Sequence, residues 1–476
     1  MSTGHVRVRF APSPTGFMHL GNVRAALINY LFARQKNGTF ILRIEDTDPQ
    51  RNVDENGVHI IADLAWLGLA YQEGPIIDGP FKPYYQSQRA PIYEKFLREL
   101  ELKALVYRCF CTIQDLEKKR ERQIALKMPP RYDRTCLKLS QDILNKNLAN
   151  STPFIWRFML EAETVSITDL ARGTIEYDLK NFSDFPLTRQ DGSFTFIFAN
   201  FVDDLTMEIT HIFRGEDHLS NTALQAALYK AFNTPIPIFW HLPIICNVEG
   251  KKLSKRDFGF SLSDLREAGF LPEAINNYLT IIGGSFEQEI MTLEELITTL
   301  NFDTLHAAGQ IRYDLEKLEW VNHKWISKLS PLDIAERCHP YLVHAYPQSA
   351  TLQPAELAEL IKPVQSDMTT LADCVKVLEF YFKKPIISDE ALASRKLPEY
   401  QEFLRTLIIK QTADTLVPET FVSEITTECK AQKIPAKEIF ALVRLALTGY
   451  PHGPSIKDLI NILGIPETLS RLKRLV

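Results

Sequence analysis

The sequence predicts an α/β domain built on a parallel sheet, followed by an all-helical second half. Two observations lead to this fold class. A strand, a helix and a second strand follow one another between Val6 and Ile44, and long helical periods dominate after about Asp257. Since 476 residues exceed what one hydrophobic core usually organises, we expect at least two domains.

The first strand–helix–strand unit is visible in the order of apolar and turn residues. Val6–Ala11 alternates apolar and basic residues as a strand does, and the prolines that follow end it. From Gly21 onward apolar residues recur at helical spacing until Asn37-Gly38. Thr39–Ile44 is then predicted to be a buried strand. The unit as a whole predicts parallel pairing of its two strands.

The rest of the chain divides into three stretches. A second βαβ region is predicted near Thr195–Phe213, followed by a helix from about Ser220 to Phe232. Residues from about 110 to 190 are predicted to be an insertion of mixed helix and strand. The helical half is predicted from four segments with helical periodicity: Leu271–Ile282, Leu293–Leu300, Leu371–Tyr381 and Lys437–Leu447. Ser455 is suited to cap a further helix at its N-terminus.

The composition is that of a soluble globular protein, with 45% apolar and 24% charged residues. No run of about 18 apolar residues exists, so no membrane span is expected. The N-terminal segment has the pattern of neither a secretory signal nor a transit peptide, and the expected compartment is the cytoplasm. The net charge of −5 argues only mildly against a nucleic-acid partner, because Met1–Ile44 contains six Lys or Arg and no acidic residue.

The segment RFAPSPTGFMHLGN, from Arg9 to Asn22, follows the first strand and opens the first helix. Ligands bind at such strand ends in open α/β sheets, and backbone N–H groups at a helix start attract phosphate. Gly21 lets a ligand approach the backbone, and His19 can donate a hydrogen bond to a phosphate oxygen. The alternative is a proline-rich loop with an incidental histidine.

The segment KKLSKR, residues 251–256, carries four cations and follows Glu249-Gly250. A solvated surface loop is one interpretation. The other is a clamp for a pyrophosphate leaving group, because lysines stabilise negative charge that develops in the transition state.

Three of the seven cysteines, Cys109, Cys111 and Cys136, lie in the predicted insertion. Thiolates in a C-x-C pair with a distant third suit tetrahedral zinc. No histidine is near in the sequence, so the fourth ligand would be Tyr132, water or a distant group. The alternative is three reduced thiols in a degenerate site. The remaining cysteines are expected to be small buried apolar residues: Cys246, Cys338, Cys374 and Cys429.

Together the segments Arg9–Asn22 and 251–256 resemble the HIGH and KMSKS signatures of class I aminoacyl-tRNA synthetases. The blocks RFAPSPTGFMHLGN, FILRIEDTD, LTRQDGSFTFIFANFVDD with MEITHIFRGEDH, and GKKLSKR resemble those of bacterial-type glutamyl-tRNA synthetases, in the same order. LVRLALTGY resembles a segment of that family's anticodon-binding region. The resemblance runs nearly from end to end.

The resemblance implies a role for each matching residue. The residues that match the glutamate site are Arg9, Ala11, Ser13, Glu45, Phe196, Asn200 and Arg214. The residues that match the ATP site are His19, Gly21, Asn22, Lys252, Ser254, Lys255 and Arg256, and the catalytic set among them is His19, Lys252 and Lys255.

Physical chemistry agrees with these roles. A guanidinium suits a carboxylate because two parallel N–H donors bind it in a bidentate manner, and Glu45 suits the substrate ammonium. For Arg9 and Arg214 the alternative is a structural ion pair. Phe196 departs from the family, whose members carry a tyrosine there. The missing hydroxyl removes about 1 kcal/mol of binding free energy if nothing replaces it.

The resemblance also implies the reaction and its partners. L-Glutamate would react with ATP, accompanied by Mg²⁺, and the glutamyl group would pass to the terminal ribose of tRNA-Glu. Activation would require bound tRNA, and the enzyme would be a monomer. The acidic run Glu45–Asp48 either assists Mg²⁺ or is an exposed acidic turn. In zinc-bearing relatives a histidine stands at the position of Lys138, whereas a related zinc-binding tRNA-modifying enzyme has a tyrosine at the spacing of Tyr132.

Five segments follow from the motifs and the resemblance. They are a Rossmann-type catalytic domain in two halves, 1–108 and 191–256, the second with the KMSKS-like loop; an inserted acceptor-stem subdomain with the possible zinc site, 109–190; a helical stem-contact domain, 257–328; and an all-helical anticodon-binding region, 329–476.

Rival functions remain open at this point. The helical second half disfavours a glutaminyl-tRNA synthetase, whose anticodon domains are β-barrels. An inactive tRNA-binding paralogue is disfavoured because His19, Lys252 and Lys255 are all present. An unrelated nucleotide-binding module would leave the helical half unexplained. Asp367 stands where some relatives use an arginine for anticodon discrimination, so charging of tRNA-Gln as well as tRNA-Glu stays a possibility.

Overall fold

The structure is a computed structural model that describes residues 4–48, 52–254, 256–282, 284, 286–302, 310–387, 390 and 397–476. The chain divides into two compact units, Met1–Asp264 with Asn276–Asp314, and Leu265–Ile275 with Leu315–Val476. The first unit contains the sheets and the second is helical, in agreement with the predicted fold class.

Strands occur in the first 314 residues. They are β1 (Arg7–Phe10), β2 (Thr39–Leu42), β3 (Val106–Cys109), β4 (Ile155–Phe158), β5 (Thr164–Asp169), β6 (Gly173–Asp178), β7 (Phe185–Pro186), β8 (His211–Gly215), β9 (Ile238–Leu242), β10 (Ile245–Cys246) and β11 (Ile311–Arg312). The helices of the same stretch are α1 (Leu20–Gln35), α2 (Val58–Trp66), α3 (Ala90–Leu102), α4 (Ile113–Ala125), α5 (Gln141–Ala149), α6 (Phe196–Thr206), α7 (Leu219–Ala231), α8 (Leu262–Glu267), α9 (Pro272–Ile281) and α10 (Leu293–Thr299).

The first predicted βαβ unit is confirmed. β1 and β2 pair in parallel, with Arg7 opposite Thr39 and Phe10 opposite Leu42. All four residues of β1 are buried, and most of α1 is buried between Leu20 and Ala33, because apolar side chains cover nearly all of its circumference. The loop between β1 and α1 therefore lies at the carboxyl end of a buried strand, where ligands bind in open sheets.

The second βαβ unit exists, but its predicted start was wrong. Residues 196–206 form helix α6, and the unit itself consists of β8, α7 and β9, with β8 and β9 in parallel register. The segment Phe198–Asp204 is buried throughout. The run Phe196–Val202 is apolar and rich in aromatic residues, with Asn200 its one polar member, and such a run does not separate a buried helix from a buried strand. The helix expected from about Ser220 to Phe232 is confirmed as α7.

The stretch between the two units has mixed helix and strand, as predicted. β3, β4 and β7 form an antiparallel sheet. The β5–β6 hairpin joins the sheet of β8 and β9, because Asp169 at the end of β5 pairs in parallel with Phe239 of β9. This pairing brings the inserted segment to the edge of the strands that carry the candidate site.

The second unit is helical throughout the residues that the structure describes. Its helices are α11 (Leu315–Lys328), α12 (Pro331–Ala345), α13 (Pro354–Ile361), α14 (Cys374–Val377), α15 (Glu379–Phe382), α16 (Leu397–Ile409), α17 (Pro418–Gln432), α18 (Ala436–Thr448), α19 (Ile456–Leu463) and α20 (Ile465–Leu472). Ser455 caps α19 by accepting a hydrogen bond from Asp458 N, as its position predicted.

One predicted helix, Leu371–Tyr381, is broken into a 3₁₀ turn and the short helices α14 and α15. The Asp373 carboxylate accepts hydrogen bonds from the backbone N–H groups of Thr369 and Thr370, each at 2.8 Å. These bonds belong to a capping box with Thr370 at the start of the helical stretch, and the interruption falls at Leu378, between α14 and α15, where φ is −104° and ψ is 5°. Among the described residues, no helix has the length and apolarity needed to cross a membrane.

Candidate active site

A cavity of about 680 Å³ opens at the carboxyl ends of β1 and β8. Most of the predicted site residues line it: Arg9, Ala11, Ser13, His19, Gly21, Asn22, Glu45, Phe196, Asn200, Arg214 and Lys252. Residues from distant parts of the sequence thus meet in one place, and the cavity is of the size that holds small ligands.

His19 is the N-cap of α1, and its ring orientation is set by that role. Its Nδ1 accepts a hydrogen bond from Asn22 N at 3.2 Å. Burial lowers the pKa of His19, and the nearby Lys252 lowers it further. The ring is therefore neutral at pH 7, and because Nδ1 is an acceptor, Nε2 carries the hydrogen. His19 is a hydrogen-bond donor at the start of a helix, which suits a phosphate.

The turn that holds His19 is tied to the chain that follows the basic loop. Leu20 N donates to Phe260 O at 3.0 Å, and Leu262 N donates to Met18 O at 2.8 Å. Lys252 of the loop lines the same cavity as His19. The two motifs that are far apart in the sequence therefore face one ligand-sized space.

Only part of the basic loop reaches that space. Lys252 Nζ lies 3.2 Å from Asp217 Oδ2 at the cavity. Ser254 is exposed, does not line the cavity, and donates through N and Oγ to the Asp257 carboxylate. Arg256 is exposed and also lies outside the cavity lining. Lys255 lies outside the described residues.

Beneath the cavity, arginines and carboxylates form a buried network. Arg9 donates to Asp204 through Nε at 3.1 Å and Nη2 at 3.4 Å, so the structural ion pair considered for Arg9 is present. Arg43 Nη1 donates to the same carboxylate at 2.7 Å. Arg89 pairs with Asp203 at 2.6 Å. Arg9 lines the cavity and shares the carboxylate of Asp204 with Arg43.

Arg214 differs from Arg9 because no carboxylate among the described residues pairs with it. Its Nη2 donates to Thr222 Oγ1 at 2.8 Å and to Gln225 Oε1 at 2.7 Å, whereas Nε and Nη1 are buried without a hydrogen-bond partner. Burial lowers the pKa of Arg214 to about 10, so it stays charged at neutral pH. A buried, charged guanidinium with two free donors is a site for an anion.

Glu45 follows β2 and lines the cavity near Asn200. Burial raises the pKa of Glu45 to about 7, against the opposing effect of Arg43 and Arg9. Asn200 Oδ1 accepts from Arg43 Nη2 at 2.8 Å. The buried side chain of Glu45 lies in the cavity wall, where the ammonium group of a bound ligand would favour its charged form.

The acidic run Glu45–Asp48 is not an exposed turn. Glu45 is buried, and Asp46 accepts hydrogen bonds from Ser87 N and Oγ at 2.8 and 2.6 Å. Asp48 lines the cavity. The carboxylate of Asp46 is thus hydrogen-bonded within the protein, whereas Asp48 lies in the cavity wall, where a ligand would bind.

Two cavity residues, Asp217 and His218, were missed by reasoning from the sequence. They lie in the block FRGEDH directly after Arg214, and their place after a predicted strand was the available signal. The His218 ring stacks on Phe196, with centroids 5.3 Å apart and planes at 28°. Phe196 therefore packs against a second aromatic ring at the cavity wall.

The three clustered cysteines converge. The sulfur atoms of Cys109, Cys111 and Cys136 lie within 4.8 Å of one another. The hydroxyl of Tyr132 is 3.2 Å from Cys109 Sγ and 3.7 Å from Cys111 Sγ. Lys138 is exposed. Three thiols and one phenol oxygen form a donor set of four, which fits zinc in number and in chemistry. The other four cysteines are buried, as predicted.

A family model described as tRNA synthetases class I (E and Q), catalytic domain, matches residues 5–320, and a model described as an anticodon binding domain matches residues 333–476. The chain belongs to the class I glutamyl- and glutaminyl-tRNA synthetase family. It is therefore an aminoacyl-tRNA synthetase, and the suspected family is confirmed.

Individual relatives are similar over the whole chain. A glutamate–tRNA ligase of Bacillus pumilus is 36% identical, covering 99% of both chains. One of Exiguobacterium sibiricum is 38% identical over 98% of this chain and 99% of the relative. A crystal structure of a glutamate tRNA ligase from Elizabethkingia meningosepticum in complex with its amino acid superposes with a TM-score of 0.89 at 32% identity, covering 99% of both chains.

Proposed function

We propose that this synthetase is a glutamate–tRNA ligase. It activates L-glutamate with ATP and transfers the glutamyl group to the 3′ end of tRNA-Glu, releasing AMP and pyrophosphate. One observation carries the proposal: the cavity that His19 and Lys252 line is also lined by Arg214, a buried guanidinium whose Nε and Nη1 have no partner among the described residues. The side-chain carboxylate of an amino acid fits the Arg214 guanidinium. A triphosphate fits the helix start at His19 together with Lys252.

In the proposed glutamate site, Arg214 binds the side-chain carboxylate. Replacing that carboxylate with the neutral amide of glutamine would leave a buried charge unpaired, which is a strong basis for discrimination. Glu45 pairs with the substrate ammonium. Ala11, Ser13 and Asn200, together with Arg9, complete the wall around the amino acid.

In the proposed ATP site, the start of α1 receives the phosphates. His19 Nε2–H donates to a phosphate oxygen, and Asn22 belongs to the same first helical turn. A Cβ atom at Gly21 would lie 3.0 Å from the His19 ring, so glycine keeps that ring in place as well as admitting the nucleotide. Lys252 and Lys255 meet the charge of the leaving pyrophosphate, with Ser254 and Arg256 on the same loop.

The reaction has two steps. The α-carboxylate of glutamate attacks the α-phosphorus of ATP, a new P–O bond forms, and the bond to pyrophosphate breaks. The terminal ribose hydroxyl of tRNA then attacks the activated carbonyl, and AMP leaves with the bonding electrons. Neither step needs a covalent enzyme intermediate, so the protein contributes position and charge stabilisation. Mg²⁺ accompanies the ATP phosphates, and Asp48 is a carboxylate of the acidic run that lines the cavity.

Further partners follow from the proposed division of the chain. Segment 109–190 contacts the acceptor stem, 257–328 contacts the tRNA stem, and 329–476 reads the anticodon, while 1–108 and 191–256 form the catalytic domain. Zinc would be held by Cys109, Cys111, Cys136 and Tyr132, where it would stabilise the inserted segment. We propose that the enzyme is a cytoplasmic monomer.

ATP–pyrophosphate exchange tests the proposal. Purified enzyme is assayed with glutamate or glutamine, each with and without tRNA-Glu or tRNA-Gln. We expect exchange with glutamate and tRNA-Glu only. Exchange supported by glutamine would identify a glutaminyl enzyme instead, and exchange supported by tRNA-Gln with glutamate would identify a non-discriminating enzyme. No exchange under any condition would identify a paralogue without charging activity.

A further inference from the structure

Behind Arg214, three further side chains continue a line of hydrogen bonds away from the cavity. Arg214 Nη2 donates to Thr222 Oγ1 at 2.8 Å, and Thr222 Oγ1 lies 2.7 Å from His241 Nε2. His241 Nδ1 lies 2.7 Å from Asp169 Oδ2. Thr222 and His241 are 0% exposed and Asp169 is 1% exposed, so water does not compete for these bonds.

The chemistry of the groups sets the direction of each hydrogen bond. The Asp169 carboxylate only accepts, so His241 Nδ1 carries a hydrogen. Burial lowers the pKa of His241 and outweighs the opposing effect of Asp169, so the ring is neutral and Nε2 is an acceptor. The Thr222 hydroxyl therefore donates to His241 Nε2 at 2.7 Å in preference to His218 O at 3.2 Å, and an oxygen lone pair accepts from Arg214.

This arrangement holds Arg214 by one nitrogen. Thr222 and Gln225 both bind Nη2, whereas Nε and Nη1 have no partner among the described residues. A guanidinium is rigid and planar, so fixing one nitrogen with two acceptors fixes the direction of the other N–H groups. The relay thus decides where the free donors of Arg214 point.

The far end of the relay belongs to the inserted segment. Asp169 ends β5 and pairs with Phe239 of β9. Its second oxygen, Oδ1, accepts from Ala171 N and Arg172 N at 2.9 and 3.0 Å. Arg172 Nη1 in turn donates to His241 O at 2.7 Å. The β5–β6 turn is therefore bonded to the residue that orients Thr222.

We propose that Thr222, His241 and Asp169 are positioning residues that aim Arg214 at the glutamate carboxylate, with Asp169 contributed by the inserted segment. The proposal rests on the proposed function, in which Arg214 binds that carboxylate. Glutamate recognition then depends on Asp169, which does not line the cavity, and on the correct docking of the β5–β6 hairpin.

Thr222→Val tests the relay because valine keeps the shape of threonine and removes its hydroxyl. In pyrophosphate exchange with saturating tRNA-Glu, we expect KM for glutamate to rise ~10-fold, with KM for ATP changed less than ~2-fold. Thr222→Ser keeps the hydroxyl and should remain close to wild type. Thr206→Val is the matched control. It removes a hydroxyl that accepts a hydrogen bond from Arg89 Nη2 at 2.8 Å, and neither residue lines the cavity.

A double-mutant cycle with Asp169→Asn separates positioning from general stability. If both residues act through Arg214, the double variant should raise KM for glutamate no more than ~2-fold beyond the larger single effect. Additive effects on KM for glutamate would refute a shared relay. Asp169→Asn also keeps the test available if Thr222→Val does not fold.

Arg214→Lys distinguishes failure of the relay from failure of the proposed function. We expect KM for glutamate to rise ~100-fold, because lysine lacks the planar donor pair. If Arg214→Lys is impaired but Thr222→Val stays within ~2-fold of wild type, the relay is wrong and the function stands. If Arg214→Lys behaves as wild type, the carboxylate assignment itself is wrong.

Discussion

Glu45 Oε1 lies 3.6 Å from Arg43 Nη2, and the two side chains are 5% and 0% exposed. The distance is too long for a hydrogen bond but short enough for strong electrostatic attraction inside the protein. Arg43 Nη2 donates instead to Asn200 Oδ1, at 2.8 Å. The Glu45 carboxylate is thus buried without a hydrogen bond from Arg43, and burial raises its pKa to about 7 against the attraction of Arg43 and Arg9.

This raised pKa predicts a pH-dependent affinity for glutamate. Below the pKa of about 7 the Glu45 carboxyl is protonated and cannot pair with an ammonium, and above it the carboxylate is available. We expect KM for glutamate to be about tenfold higher at pH 6 than at pH 8. Glu45→Gln should raise KM and remove most of that difference. A wild-type KM that is flat between these pH values would contradict the role of Glu45.

Lys255 is predicted to act on the leaving pyrophosphate. Lys255→Ala should reduce the rate of glutamate activation ~1,000-fold while leaving the Kd for tRNA nearly unchanged, because the lysine meets charge that develops only in the transition state. Lys251→Ala is the matched control, since Lys251 is exposed in the same loop and pairs with Glu249 at 2.7 Å. Activity equal to wild type in Lys255→Ala would show that the KMSKS-like assignment is mistaken.

Phe196→Tyr should improve binding of glutamate. The substitution adds the hydroxyl that the resemblance implies at this position, next to the stacked His218 ring at the cavity wall. One new hydrogen bond of about 1 kcal/mol corresponds to a KM for glutamate ~5-fold lower. Isothermal titration with glutamate in the presence of tRNA would measure the same change directly. Weaker binding would mean that the pocket is shaped for the phenylalanine.

Zinc is expected to copurify at about one ion per chain. Cys136→Ser should abolish stoichiometric zinc, measured by mass spectrometry of the metal. Tyr132→Phe should keep the three thiols but release zinc faster to a chelator, because it removes the fourth donor. Cys429→Ala, which removes a buried thiol elsewhere, is the control. Full zinc retention in Tyr132→Phe would assign the fourth position to water or to another group.

The sequence alone determined the fold class, the family and a set of site residues most of which line the cavity. These are local properties: strand, turn and helix signals around Arg9–Asn22 lie within a few residues of one another, and motif spacing needs no coordinates. The signal was insufficient for α6, because its apolar, aromatic-rich run Phe196–Val202 also fits a buried strand, and for Leu371–Tyr381, which is interrupted at Leu378.

Only the tertiary structure decided which arginine is free to bind a carboxylate. Arg9 and Arg214 look alike in the sequence, but folding places Asp204 against the first and the uncharged Thr222 and Gln225 against the second. The position of Asp169 was likewise decided by the tertiary structure, because its pairing with Phe239 brings the end of β5 beside β9. Whether a buried charge is neutralised depends on partners distant in the chain, and sequence spacing does not specify how those partners meet.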